Sequence, residues 1–402
     1  MSARWLRLIR VGLCGLLVSA VGPLACAQDD RTQYPRLLAN SYFGIHFGYI
    51  DYPFSNFQME PGFKASSINV PHLSVRALLF GHEFNKYLSA QISYMRPIQW
   101  VRYQDVNGDH ASHSVWMNLA GLTAKAQLPV TKTLSVYGES GLGIITRKGF
   151  QIDHFAALRD TNYSTSLFGG GVQYRVTDNW SLVLGTTSAA HAEARQPRTS
   201  VFSVGFNHTM RPLSEDEVDR NSNAGFVFPK NIVQFGYMTD ALGYGINDFV
   251  SKGAVPIFWA ADVRVARGMS ASYQRNVFHT RRVFSLDWGA TAASWKSDAT
   301  RERFYTGSLY PVLRFTVLRA KSQDLYIDYS LAGPTLISRT IIDNDETGRK
   351  FTFQDFMGVG LFAGSKRNLN AEVKIAHYSN GNLFPRNSGI TVPLSFVLGY
   401  SF

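Results

Sequence analysis

Along most of this chain hydrophobic and polar positions alternate with period two, and the alternation is broken every ten to fifteen residues by polar, turn-forming stretches. From Ser41 to Ile50, Phe43, Ile45, Phe47 and Tyr49 alternate with Tyr42, Gly44, His46 and Gly48. The same reading predicts strands over residues 73–81, 88–96, 115–128, 134–145, 164–176, 180–190 and 201–208. A charged, aperiodic stretch follows at 211–231, containing Pro212, Glu215, Asp216, Glu217 and Asp219, and reads as a linker. A second set of strands is predicted over 232–238, 257–266, 269–278, 284–293, 304–318, 325–337, 351–363, 370–379 and 392–402, with 263–274 either one strand or a hairpin. In the last strand Leu394, Phe396, Leu398, Tyr400 and Phe402 alternate with Ser395, Val397, Gly399 and Ser401.

Strands of about ten residues with an apolar outer set suit a wall that faces lipid on one side and a filled interior on the other. The pattern predicts an all-β protein of two tandem eight-stranded antiparallel transmembrane barrels, over residues 39–210 and 232–402, joined by 211–231. The alternative is one 16-stranded barrel with a long internal loop. The halves look like copies, since Gly169, Gly171 and Asn179 recur at a fixed offset as Gly358, Gly360 and Asn368. A C-terminal aromatic at the outward parity resembles the terminal strand signal of bacterial outer-membrane barrels, which implies the barrel assembly machinery as a partner.

The N-terminus supports export. Arg4, Arg7 and Arg10 precede an apolar run from Val11 to Val21, and Ala25-Cys26-Ala27 supplies a small-x-small cleavage pattern. Removal of a signal peptide at 1–27 would take both cysteines, Cys14 and Cys26, leaving a chain without thiols. It would also take the formal charge from +11 to +8, and with no basic run nucleic-acid binding is not expected. No cofactor or metal site is expected. His110 and His113 read as solvated loop residues, and the run from Asp343 to Gly348 as a polar loop without the distal glutamate of a calcium site.

Candidate chemistry lies near the C-terminus. In 351–363 and 370–379 the odd-numbered positions are the more apolar, so Asp355, His377 and Ser379 share the outward face near the outer-leaflet end. A pairing around a turn at Ser365–Asn368 sets Asp355 opposite Ser379 and diagonal to His377. Ionisable groups on a lipid-facing stripe are costly and therefore suggest function. A hydroxyl beside an imidazole is the minimum for nucleophilic acyl transfer, with a carboxylate to fix the imidazole tautomer.

The run His377-Tyr378-Ser379-Asn380-Gly381, followed by Pro385, Asn387, Gly389 and Ile390, resembles the active-site signature of the lipid A 3-O-deacylase family. The resemblance spans roughly residues 230–402 and is specific in the last 50. It implies an outer-membrane serine hydrolase that removes an ester-linked acyl chain from the lipid A of lipopolysaccharide. His377 would be general base, Ser379 nucleophile, and Asn380, Gly381, Asn387 and Gly389 the oxyanion and substrate-binding set. Thr391 stands where the family has its acidic residue, and one extra residue separates Pro385 from Asn387. Asp355 is the replacement acid that parity suggests. At the matching positions the first half has Ser166, Ser188 and Ala190, and nearby His191 is followed two residues on by Glu193, not serine, so the first barrel reads as scaffold or binding module. The competing reading is a non-catalytic barrel that binds lipid or serves envelope assembly.

Overall fold

The computed structural model describes residues 30–190, 195–250, 259, 261–381, 383–384 and 386–402. The leader expected at 1–27, together with His191, Glu193, Asn382 and Pro385, lies outside the described residues.

Eight antiparallel strands form the first barrel: β1 (Ser41–Asp51), β2 (Leu73–Glu83), β3 (Leu88–Pro97), β4 (Ser112–Pro129), β5 (Leu134–Lys148), β6 (Thr161–Arg175), β7 (Trp180–Ala189) and β8 (Ser200–Thr209). Pairing of β4 with β5 and of β1 with β8 closes the ring. Short strands at Ala65–Asn69 and Val101–Val106 extend β4 past the wall. Their side chains build an apolar cap around Tyr52, Met59, Tyr103 and Val106, an element that period-two reading of the wall did not anticipate.

The second barrel comprises β9 (Asn231–Thr239), β10 (Val263–His279), β11 (Phe284–Ser297), β12 (Arg303–Arg319), β13 (Gln323–Ile337), β14 (Phe351–Ala363), β15 (Leu369–Ser379) and β16 (Ile390–Ser401). It closes through β9 and β16. The 263–274 region is one continuous strand, β10, which begins at Val263; residues 257, 258 and 260 of the strand expected from 257 lie outside the described residues. Two closed barrels replace the 16-stranded alternative. Between them the linker carries one helix, α1 (Glu215–Ser222), started by a Ser214–Glu217 capping box.

Alternation sorts the side chains as the wall requires. Phe43, Ile45, Phe47 and Tyr49 are exposed on the outside of β1, whereas His46 is buried. Each interior is filled by a polar network. In the first, the Glu139 carboxylate takes Arg76 Nη2 at 2.9 Å, Thr187 Oγ1 at 2.8 Å, Thr123 Oγ1 at 3.0 Å and Gln91. In the second, Arg314 pairs with Asp287, reaches Gln274 at 2.6 Å and approaches Asp328 at 3.7 Å. Burying Glu139 and Arg314 is tolerated because each is met by an opposite charge, Arg76 and Asp287. A filled lumen of eight strands is not a wide pore.

The second barrel also uses a close approach that only glycine permits. The hydroxyl end of the Tyr326 ring lies against Gly360, where an added Cβ would fall 2.2 Å from ring carbon Cζ. Tyr326 is fully buried and hydrogen-bonded to Glu372 and Asn370, so its ring has nowhere to go. Gly360→Ala is therefore expected to lower unfolding free energy by about 1–3 kcal/mol. Guanidinium titration of the detergent-folded protein, followed by heat-modifiable gel migration, measures this, and an unchanged midpoint would contradict it.

At one end of each barrel the connections are short (280–283, 320–322 and 364–368 in the second), and both barrel termini, Asn231 and Phe402, lie there. The other end carries the long connections, so it is the extracellular end. There β9 stops at Thr239 and its neighbours meet directly: Val263 pairs with Ile390 and Arg264 with Thr391, in parallel.

Candidate active site on the outer wall

Four strands bring the candidate residues together. β15 pairs with β14 through Asp355↔His377 and Phe353↔Ser379, and with β16 through His377↔Thr391. Asp355 is thus directly opposite His377, not Ser379 as the sequence pairing had it. The reason lies in the turn: Ala363 pairs with Leu369, so the connection takes the whole of 364–368 and the partners shift by two. The correction brings the carboxylate nearer the imidazole. Outside the barrel one row therefore reads Asp355, His377, Thr391, Arg264 across four strands. Ser379 lies two residues along β15 on the same face and is half-buried.

Thr391 reaches that row through a bulge. Below it the even residues Phe396 and Leu398 face outward and are exposed. Register slips between the Lys374↔Ser395 and Ala376↔Val392 pairs, which switches the outward parity to odd numbers. Pro393, without an N–H for the ladder, sits within the slip. The Val392 carbonyl accepts from Asn247 Nδ2 at 3.0 Å.

Asp355 is fixed from its other side. β13 is irregular between Ser330 and Gly333, with Ala332 at φ 52°, and the Ala332 N–H donates to Asp355 Oδ1 at 2.5 Å. That bond orients the carboxylate on the wall surface.

His377 has outward parity yet is only 1% exposed. Its cover comes from the β9–β10 connection, which runs through the short helix α2 (Gly245–Phe249) over the outside of the wall. Val250 and Trp259 from this connection pack with Ile375, Tyr329, Met357 and Leu394, and the Trp259 ring stacks on the His377 imidazole at 5.8 Å and 12°. Leu242, Ile246 and Phe249 remain exposed on the connection itself. Sequence reading missed this cover, because the apolar run ending at Trp259 passed for the start of a strand.

The loop after Ser379 is held at several points. Asn387 Oδ1 accepts the Asn380 N–H at 2.9 Å, and Asn380 Nδ2 reaches the Arg386 carbonyl at 3.4 Å. Gly381 (φ 61°) and Gly389 (φ 62°) take the left-handed conformation at either end, which glycine adopts without strain. Arg386 pairs with Glu346 of the β13–β14 connection, holding that carboxyl below its ordinary range through hydrogen bond and charge. Asn387 thus commits its oxygen to the turn. Tyr378, between the two candidates, points inward and is buried against Trp295 and Thr306, anchoring the strand end.

A pair of closed barrels with lipid-facing walls defines a Gram-negative outer-membrane β-barrel protein. Comparison with known families refines that class for each half. Residues 267–401 match the family model "Lipid A 3-O-deacylase (PagL)", and residues 39–209 match that of the OmpA-like transmembrane domain. No curated protein matches the chain. Similar solved structures include the crystal structure of the outer membrane enzyme PagL, at 19% identity over 43% of this chain and 98% of that one (TM-score 0.28). The N-terminal β-barrel domain of Pseudomonas aeruginosa OprF is 17% identical over 42% and 98% (TM-score 0.28). Neisserial surface protein A is 16% identical over 42% and 97% (TM-score 0.28).

Proposed function

We propose that the second barrel is a serine hydrolase that removes an ester-linked acyl chain from the lipid A of lipopolysaccharide. The observation that carries this reading is the outward row in which Asp355 faces His377, with Ser379 two residues beyond on the same lipid-facing wall. The deacylase family match over 267–401 supports it. In this mechanism His377 accepts the Ser379 hydroxyl proton as Oγ attacks the ester carbonyl carbon. The imidazolium returns that proton to the departing sugar oxygen, and water then cleaves the acyl-serine. Asp355 holds the imidazole orientation, and the Asn387 NH2 with turn amides near Gly381 would steady the oxyanion. A site on the outside of the wall suits a substrate that diffuses laterally in the leaflet.

Mass spectrometry of lipid A from cells expressing the full chain tests the proposal: loss of one acyl chain is expected, and unchanged lipid A refutes it. The acid assignment has its own test. Asp355→Asn is expected to lower turnover about a hundredfold. Adding Thr391→Glu, which restores a carboxylate beside His377 from the opposite strand, should recover about tenfold of that loss. Full activity in Asp355→Asn would remove Asp355 from the mechanism.

A further inference from the structure

A row of positive charge without an ion-pair partner among the described residues lies on the lipid-facing wall beside the candidate site. Arg267 of β10 pairs directly with Lys296 of β11, and Lys296 pairs directly with Arg303 of β12. All three have outward parity: Arg267 and Arg303 are exposed, and Lys296 is half-buried. None of the three makes an ion pair with a described residue. Like charges directly opposite one another destabilise a sheet, and more so at a membrane surface where the dielectric falls. A wall with this row in register favours an anion against it.

Position identifies the anion. The row sits at the extracellular ends of its strands, and the next outward residues toward the membrane are Met269, Ser294 and Tyr305, themselves mutually paired. A Met and Tyr level beneath a basic level is the profile of a lipid headgroup zone. The row also adjoins the candidate site, because β10 carries Arg264 beside Thr391 three residues before Arg267. We propose that Arg267, Lys296 and Arg303 bind a phosphate of a phosphorylated glycolipid headgroup in the outer leaflet and so present that lipid's esters to Ser379. The last clause rests on the hydrolase reading; the phosphate site does not. Guanidinium groups suit phosphate through paired N–H donors, with lysine adding a point charge.

The test measures binding, in a Ser379→Ala background so that hydrolysis cannot intervene. Full-length protein in neutral detergent is titrated with bis-phosphorylated lipid A and with the same lipid A after dephosphorylation. Arg267→Gln/Lys296→Gln/Arg303→Gln should weaken binding of the phosphorylated lipid about tenfold or more and leave the dephosphorylated lipid unchanged. Arg267→Lys/Arg303→Lys, which keeps the charge, should retain most of the binding; heat-modifiable migration verifies folding of both variants. Equal affinities for wild type and the glutamine variant, an equal loss for both lipids, or displacement by an equal concentration of phosphatidylglycerol would overturn the site. Phosphate-dependent binding by a protein that leaves lipid A intact in cells would keep this site and remove the hydrolase, and the converse result would do the reverse.

Discussion

Ser379→Ala is expected to abolish loss of the acyl chain from lipid A, with turnover falling by at least about a thousandfold, and His377→Ala is expected to match it. The two should be non-additive, because nucleophile and base act as one unit: the double variant should be no slower than either alone. Folding should be undisturbed by the serine change, since Ser379 is half-buried at a strand end. The histidine change uncovers the face beneath Trp259, so its folded yield is checked by heat-modifiable migration. Residual activity within tenfold of wild type in Ser379→Ala would assign the nucleophile elsewhere.

The largest expected effect on stability lies in the first barrel. Arg76→Met removes the cation from Glu139, whose carboxylate is wholly buried. Lys125, the next cation in that interior, is bonded to Gln173 at 2.6 Å and does not replace it. An uncompensated interior carboxylate should reduce unfolding free energy by about 3–5 kcal/mol. Arg76→Met/Glu139→Leu, which discards both charges, should recover most of that. Guanidinium midpoints of the three proteins in one detergent decide the matter. A single variant as stable as wild type would mean that water or Lys125 already neutralises Glu139.

Much of this architecture was legible because a closed wall enforces strict alternation, and alternation is what sequence displays most directly. The strand expected at 41–50 is found at Ser41–Asp51, and the outward parity of Asp355, His377 and Ser379 follows from the apolar set beside them. Legibility ended where the ladder is irregular. The turn over 364–368 shifted the partner of Asp355 by two residues. The slip at Pro393 placed Thr391 beside His377, which no alternation count across that stretch reveals. The bulge that presents the Ala332 N–H to Asp355 is silent in composition, since alanine gives no hint of a positive φ. Trp259 was hidden for a different reason: an apolar residue that covers the outside of a wall looks, in sequence, like one that belongs to it.

The early end of β9 has a further consequence for biogenesis. β9 and β16 are the first and last strands of their barrel, so their junction is the seam. Above Thr239 that seam is sealed by β10 meeting β16, with Arg264 beside Thr391 and Thr391 beside His377. A chain whose ends had not yet zipped together would keep Asp355, His377 and Ser379 side by side but lack Arg264 beside Thr391 and the Trp259 ring over the imidazole. Covering of the His377 imidazole and sealing of the cylinder would then be one event.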